Sequence, residues 1–208
     1  MLILVRHGES TGNAAGLLAG HVDLPLTGRG LDQARSVGDS LQGVTRLVSS
    51  PLGRARDTAE ALGLGLPVEI DERWIEVDYG EYDGRPLGEV PDEVWREWRA
   101  DPHFRPPGGE TLAEVGTRVR AACEELFAAD GRGARGEGDV VVVSHVSPIK
   151  AATCWALGLP DEGAWRLYLA TASVTRIARG PGGIALRGFN ATPWSGEAPP
   201  PPVRPAGR

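Results

Sequence analysis

Residues 2–9, which read LILVRHGE, decide the fold. Four consecutive apolar residues that end at polar residues and a glycine are typical of a central strand in a parallel sheet. Ligands of such sheets bind beyond the carboxyl ends of the strands. Arg6 and His7 follow the apolar run directly, so we expect them to lie at that edge. The guanidinium of arginine matches phosphate oxygens, and the imidazole of histidine can act as a nucleophile.

Two further segments predict strands that reach the same edge. Residues 47–50 (LVSS) form a short strand and a turn, and Arg54 falls in the first turn of the helix that follows. Residues 140–143 are four valines, and Ser144-His145 comes directly after them. Carboxyl ends of parallel strands meet at one edge, so the polar residues at all three ends should converge. These residues are Arg6, His7, Arg54 and His145. Two permanent cations and two imidazoles held together predict a binding site for a dianion.

These motifs, with several others in the same order, resemble those of the histidine phosphatase superfamily, branch 1, also called phosphoglycerate mutase-like. The resemblance covers about residues 2–190. The blocks that carry it are RHGE at 6–9, GHVDLPLT at 20–27 with Gly30, Gln33 and Ala34, SPLGRA at 50–55 with Thr58 and Ala59, Glu76 with YGEYDG at 79–84, GGET at 108–111 with Arg118, and SH at 144–145. The resemblance implies an α/β fold, a three-layer α/β/α sandwich with a mostly parallel central sheet. It also implies the phosphatase subgroup of the family.

The resemblance implies a role for each of the converging residues. His7 is the nucleophile that becomes phosphorylated, and Glu76 is the general acid that protonates the leaving group. Arg6, Arg54 and His145 donate hydrogen bonds to the oxygens of the phosphoryl group, where charge spreads during the transfer. These five residues form the expected catalytic set.

Two further residues are expected to bind the phosphate or the substrate. Asn13 adds an uncharged donor. Family members commonly have a glycine after the second histidine, whereas this chain has Val146, so a contact there would use the backbone N–H of Val146. Ala19 stands where a glutamine is common, which removes one polar group from the rim of the site. These departures leave the contacts on the substrate side open.

The segment at about 71–109 is the least regular part of the sequence, and we expect it to form a lid-like insertion. It contains Glu76 together with the competing carboxylates of Asp78, Glu81 and Asp83. Most exposed carboxylates only face solvent, so the position of Glu76 before the glycine-rich turn is what favours it. The tryptophans and tyrosines of this segment suit a leaving group that is apolar or carries a ring.

Capping signals and periodicity predict the remaining elements. Thr27 is a plausible N-cap of one helix, and residues 111–114 (TLAE) form a capping-box pattern at the start of another. A helix is expected over 148–157, and strands over 174–178 and 184–189 are expected to pair as a hairpin.

Length and composition indicate one α/β domain. A chain of 208 residues supports one sizeable core, so residues 1–192 are expected to form a single domain. Residues 193–208 are rich in proline and are expected to be disordered.

The net charge of −6, without a basic stripe, argues against nucleic acid or a membrane as a partner. The two cysteines lack metal-ligand spacing. Because the apolar N-terminal run is short and lacks a basic leader, we expect a cytoplasmic protein.

The function that these expectations favour is a metal-independent phosphoric monoester hydrolase (EC 3.1.3.-). It would act on a small phosphorylated metabolite, need no cofactor, and work as a monomer or homodimer. A cofactor-dependent phosphoglycerate mutase would use the same histidine. A phosphate-binding protein without catalysis would be expected to have lost His7, His145 or Glu76, and a metal hydrolase would need ligand spacings that are absent. Residues 9–17 and 20–21 are similar to α-ribazole phosphatases, and residues 144–150 to actinobacterial acid phosphatase domains.

Overall fold

The computed structural model describes residues 1–128 and 138–193, and these contain six strands and six α-helices. The strands are β1 (Leu2–Arg6), β2 (Val44–Ser49), β3 (Val68–Ile70), β4 (Asp139–Ser144), β5 (Val174–Gly180) and β6 (Gly183–Ala191). The helices are α1 (Thr11–Ala14), α2 (Gly28–Asp39), α3 (Gly53–Ala61), α4 (Asp92–Ala100), α5 (Leu112–Ala128) and α6 (Val146–Leu157).

The strands form one sheet in the order β3-β2-β4-β1-β5-β6. The four strands β1, β2, β3 and β4 are parallel to one another. β5 pairs antiparallel with β1, and β6 pairs antiparallel with β5. Successive residues of a strand point to opposite faces. Leu2 and Leu4 therefore join the core formed with α5 and α6, whereas Ile3 and Val5 join the core formed with α2 and α3. The expected three-layer sandwich with a mostly parallel sheet is confirmed.

The caps that mark the helix ends agree with the sequence. The Oγ1 of Thr27 accepts the N–H of Gly30 (3.0 Å) at the start of α2. Thr111 and Glu114 exchange hydrogen bonds at the start of α5, which is the reciprocal pattern of a capping box. α6 ends where Gly158 adopts a left-handed conformation with φ 64°, which glycine tolerates without a steric penalty. β5 and β6 pair as the expected hairpin.

The segment 71–109 contains α4 and three short 3-10 helices, Glu72–Trp74, Gly80–Tyr82 and Leu87–Glu89. Trp74 lies in the core, and the other two tryptophans pack against Trp165 from the body of the molecule. The rings of Trp95 and Trp98 stack with centroids 5.7 Å apart, and each lies 6.3 Å from the ring of Trp165. These contacts hold α4 against the 3-10 helix Asp161–Arg166. The lid-like role of the segment stays a prediction.

Three expectations concern features away from the sheet edge. The proposed tail at 193–208 lies outside the described residues except for Pro193. Cys123 and Cys154, the two cysteines without metal-ligand spacing, are buried and free. In the two described ranges, no helix has the length and apolar character needed to cross a membrane.

Two glycines of α2 differ in what surrounds them, and they test the packing of α2 on α3. A Cβ at Gly38 would overlap the carbonyl oxygen of Leu62, whereas a Cβ at Gly28 would meet nothing within 4 Å. We predict that Gly38→Ala lowers the free energy of unfolding by roughly 1–3 kcal/mol, because the two helices must move apart. Gly28→Ala should leave it unchanged or raise it slightly, since alanine suits a helix better than glycine. Urea unfolding of both variants measures the difference, and equal stabilities would contradict this packing.

Candidate active site

The predicted functional residues meet at one edge of the sheet, at the carboxyl ends of β1, β2 and β4. The parallel register aligns Arg6 with Ser144 and Ser49 with Val143, so the residues that follow these strands lie side by side. The N–H of His7 donates to the carbonyl of Ser144 (2.9 Å), which extends this register by one residue. The rings of His7 and His145 have centroids 5.1 Å apart. The exposed fractions of these two residues are 3% and 0%.

The imidazole of His7 is held by a carbonyl of the next residue. Its Nδ1 lies 2.7 Å from the Gly8 oxygen. A carbonyl can only accept, so Nδ1 carries the proton and Nε2 has a free lone pair. The N–H of Gly8 donates to Thr58 Oγ1 (3.0 Å), and that hydroxyl donates to the carbonyl of Arg54 (2.7 Å). α3 therefore fixes the peptide between His7 and Gly8. The next peptide, which carries the Gly8 carbonyl, is held by α2, where Gln33 Oε1 accepts the Glu9 N–H (2.9 Å).

Burial favours the neutral form of both imidazoles at the site. Burial lowers the pKa of His7 well below its usual range, the guanidinium groups of Arg6 and Arg54 lower it further, and the Gly8 carbonyl opposes them. Burial also lowers the pKa of His145, again assisted by Arg54, His7 and Arg6. The sequence placed two permanent cations and two imidazoles at this site. The two arginines supply the positive charge here, because desolvation disfavours a charged imidazole.

Arg54 has a structural task in addition to the expected one. Its side chain is buried, and its terminal nitrogens donate to the carbonyls of Ala19 (2.9 Å), Gly20 (2.7 Å) and Val22 (3.0 Å). These bonds tie the loop at residues 19–22 to α3. The Nε of Arg54 is buried without a partner among the described residues. That N–H is a donor that a bound anion can satisfy.

Arg6 and Asn13 also use part of their hydrogen-bonding capacity within the protein. Arg6 donates to the carbonyl of Leu169 (2.7 Å), which fixes its guanidinium across the sheet edge. The Oδ1 of Asn13 accepts from the N–H (3.0 Å) and the hydroxyl (3.1 Å) of Ser10, in the capping box of α1. Since its oxygen is taken, Asn13 can serve a ligand only through its Nδ2 group, as an uncharged donor.

Glu76 lies against the N-terminus of α6 and is 4% exposed. Its Oε1 accepts the N–H groups of Val77 (2.9 Å) and Ser147 (3.0 Å), and its Oε2 accepts the N–H of Val146 (3.0 Å). A helix N-terminus favours such a carboxylate. The expectation that the Val146 N–H contacts the substrate is therefore corrected, because in this structure that N–H donates to Glu76.

The other carboxylates of the segment are engaged elsewhere. Asp83 accepts the backbone N–H groups of residues 20–22 at 2.6–2.8 Å, so it anchors the same loop that Arg54 ties from the other side. Asp78 accepts the N–H of Gly80 (2.8 Å). Glu81 is exposed. Glu76 is the one of these four carboxylates whose side chain contacts the residues following His145.

Two polar contacts at the site have no counterpart in the sequence analysis. The hydroxyl of Ser50 lies 2.7 Å from Nε2 of His145. Arg118 donates to the Glu76 carbonyl (3.3 Å) while pairing with Glu110 (2.9 Å). Both residues lie within blocks that carry the family resemblance, but their partners are distant in sequence. Only the fold identifies these contacts.

The remaining histidines, His21 and His103, lie at the surface. His21 is exposed, but its Nε2 lies 3.1 Å from the Glu76 carbonyl, next to the site. His103 is exposed. Among the residues that the structure describes, no group of three or more His, Cys, Asp or Glu side chains could hold a metal ion.

Comparison with protein families gives the same assignment as the motifs. The model of the histidine phosphatase superfamily (branch 1) matches residues 2–192, which is nearly the whole chain. The chain is 36% identical over 185 residues to the probable phosphoglycerate mutase GpmB of Salmonella paratyphi B, covering 84% of this chain and 82% of that protein.

Solved structures of phosphatases have the same fold. A mycobacterial glucosyl-3-phosphoglycerate phosphatase in complex with VO3 superposes with a TM-score of 0.81 and 31% identity, over 91% of this chain and 98% of that chain. A candidate α-ribazole-5′-P phosphatase from Escherichia coli K-12 superposes with a TM-score of 0.78 and 30% identity, over 92% and 96% of the two chains.

The neutral imidazoles predict how stability changes with pH. The folded chain keeps His7 and His145 neutral, whereas an unfolded chain protonates histidine near pH 6.5, so below that pH the unfolded state binds more protons. The free energy of unfolding should then fall with falling pH, by up to about 1.4 kcal/mol per pH unit for each histidine. Urea unfolding between about pH 7 and pH 5 measures this slope. It should be shallower in His7→Gln and unchanged in the surface control His103→Gln, and equal slopes in all three proteins would contradict neutral burial of His7.

Proposed function

The chain belongs to branch 1 of the histidine phosphatase superfamily, and we propose that it hydrolyses a small phosphomonoester through a phosphohistidine on His7. The observation that carries this proposal is the hydrogen bond from Nδ1 of His7 to the Gly8 carbonyl (2.7 Å). It leaves Nε2 with a lone pair in a buried site, and the lowered pKa keeps that lone pair free at neutral pH.

The first half of the reaction transfers the phosphoryl group to the protein. Nε2 of His7 attacks phosphorus, the N–P bond forms, and the bond between phosphorus and the ester oxygen breaks. The guanidinium of Arg6, Nε of Arg54 and a ring N–H of His145 donate to the three other oxygens, where negative charge is spread. Glu76 gives its proton to the departing alkoxide.

The second half releases inorganic phosphate. A water molecule attacks the phosphorus of phosphohistidine, Glu76 takes one proton from that water, and the N–P bond breaks to restore neutral His7. The Oε2 of Glu76 accepts one backbone N–H, whereas its Oε1 accepts two. Oε2 therefore keeps a lone pair on which it can carry the proton. One carboxylate serves as acid and then as base.

The relatives support a phosphatase and suggest the size of its substrate. The structures with similar folds include phosphatases whose names give small phosphorylated molecules, glucosyl-3-phosphoglycerate and α-ribazole-5′-P. We propose a small phosphorylated metabolite for this chain as well. The Salmonella relative favours a second candidate, a phosphoglycerate mutase. A mutase must protect the phosphoenzyme from water, so the release of phosphate separates the two functions.

The proposed reaction needs no metal ion. The positive charge that a metal would place on the phosphoryl oxygens comes from Arg6 and Arg54, which are held by protein carbonyls before substrate binds. We propose further that neither nucleic acid nor a membrane is a partner, in keeping with the net charge of −6.

The experiment that tests this function measures phosphate release from a panel of phosphorylated metabolites in the presence of EDTA. We predict release by the purified protein and loss of at least about 99% of it in His7→Ala, because the covalent route is removed. The control His103→Ala changes an exposed histidine and should retain full activity. Phosphoryl transfer between substrates without release would favour the mutase, and activity that requires added Mg²⁺ or Zn²⁺ would contradict the proposed chemistry.

Glu76→Gln tests the acid and base assignments. We predict that turnover of an alkyl phosphate falls by roughly a hundredfold or more, the usual scale for general acid catalysis. Formation of phosphohistidine from an activated aryl phosphate should suffer less, since its leaving group hardly needs a proton, and the intermediate should then accumulate. Rapid-quench kinetics measure both steps. Glu81→Gln, an exposed carboxylate of the same segment, is the control. Equal losses on both substrates without accumulation would assign Glu76 a structural role.

A further inference from the structure

The hydroxyl of Ser50 makes the one protein contact recorded for the His145 ring nitrogens in the described residues. Ser50 follows β2 and His145 follows β4, and these strands are neighbours in the sheet. The N–H of Ser50 donates to the carbonyl of Val143 (3.0 Å), so the turn after β2 is fixed against β4. The Oγ of Ser50 lies 2.7 Å from Nε2 of His145, and both residues are 0% exposed.

The surroundings of Ser50 determine which way its proton points. Its Oγ accepts the backbone N–H of Leu52 (3.3 Å). A hydroxyl has one hydrogen to donate, and in the described part of the chain Nε2 of His145 is the acceptor within reach. If Nε2 carried the proton instead, the Ser50 hydroxyl hydrogen would be buried without an acceptor. The arrangement that satisfies every group has Ser50 donating to an unprotonated Nε2.

This arrangement places the single proton of the neutral His145 ring on Nδ1. Nδ1 of His145 is itself buried, and no described residue is its hydrogen-bond partner. A buried N–H of this kind is satisfied by a ligand or by ordered water. The His7 and His145 ring centroids are 5.1 Å apart, so we assign the oxygens of a phosphoryl group on His7 as the acceptors of that N–H.

We propose that Ser50 is a positioning residue that holds His145 as the neutral tautomer protonated at Nδ1, so that His145 gives the phosphoryl group an uncharged hydrogen bond. This inference rests on the proposed function. It explains how His145 donates to an oxyanion without becoming a third cation beside His7. A charged ring there would stabilise the ground-state dianion, whereas a fixed neutral donor is oriented toward the transferring group without reorganisation.

The direct test is the protonation of His145 in the free protein. We expect ¹H–¹⁵N correlation spectra of histidine-labelled protein, assigned with His145→Gln, to show the proton on Nδ1 at about pH 7. In Ser50→Ala the ring should populate the tautomer protonated at Nε2, because nothing donates to Nε2 any longer. A wild-type ring protonated at Nε2 would overturn the proposal. The spectrum is independent of turnover, so absence of phosphatase activity would refute the proposed function and leave this result standing.

The kinetic test uses a matched serine as control. Ser49 is also 0% exposed, and its hydroxyl donates to the Ser50 carbonyl (2.9 Å) without touching His145. We expect Ser50→Ala to lower kcat by roughly tenfold to a hundredfold with a smaller change in KM, since the lost donor acts in the transition state. Ser49→Ala should keep kcat within about threefold, and Ser50→Thr, which retains a hydroxyl, should restore most of it. Equal losses of kcat in Ser49→Ala and Ser50→Ala would overturn the positioning role. If Ser50→Ala does not fold, the kcat of Ser50→Thr and the wild-type spectrum test that role instead.

Discussion

The hydrogen bond between Nδ1 of His7 and the carbonyl of Gly8 is the constraint on which the rest of the site depends. It determines which ring nitrogen is free to react, and it works only if the Gly8 peptide cannot rotate. Gln33 on α2 opposes that rotation, because its Oε1 accepts the Glu9 N–H (2.9 Å), which belongs to the same peptide as the Gly8 carbonyl. Thr58 on α3 accepts the Gly8 N–H of the preceding peptide. A Cβ at Gly8 would overlap the backbone of Gly30, so the peptide also depends on the close approach of α2. Two helices on one face of the sheet thus orient the reactive imidazole.

The arginines of the site stay charged, whereas its histidines are held in the neutral form. Arg6 and Arg54 stay charged because guanidinium groups are not deprotonated in proteins, and protein carbonyls hold both in place. Their fields and the burial of the rings keep His7 and His145 neutral. The cost of holding the buried Arg54 beside the half-buried Arg6 is offset when a phosphate dianion binds between them. The same arrangement that attracts the substrate therefore keeps the nucleophile reactive.

The sequence predicted the parts of this site that depend on strand ends, and missed those that depend on packing between distant segments. The apolar runs before His7 and His145 were enough to place both imidazoles at one edge, because a parallel sheet brings such ends together. The position of Glu76 required the resemblance. The engagement of the Val146 N–H with Glu76 could not be predicted, since it depends on how an irregular segment packs on the N-terminus of α6. The hydrogen bond of Ser50 arises in the same way, from neighbouring turns that are 95 residues apart.

The central claim is that Nε2 of His7 forms the covalent intermediate while Nδ1 stays bonded to Gly8. The most direct measurement is to trap the phosphoenzyme by alkaline quench and determine which atom carries phosphorus, by peptide mass spectrometry and by ³¹P and ¹⁵N NMR of histidine-labelled protein. We expect phosphorus on His7, attached to Nε2. Phosphorus on Nδ1, on another residue, or on none while substrate turns over at full rate would contradict it.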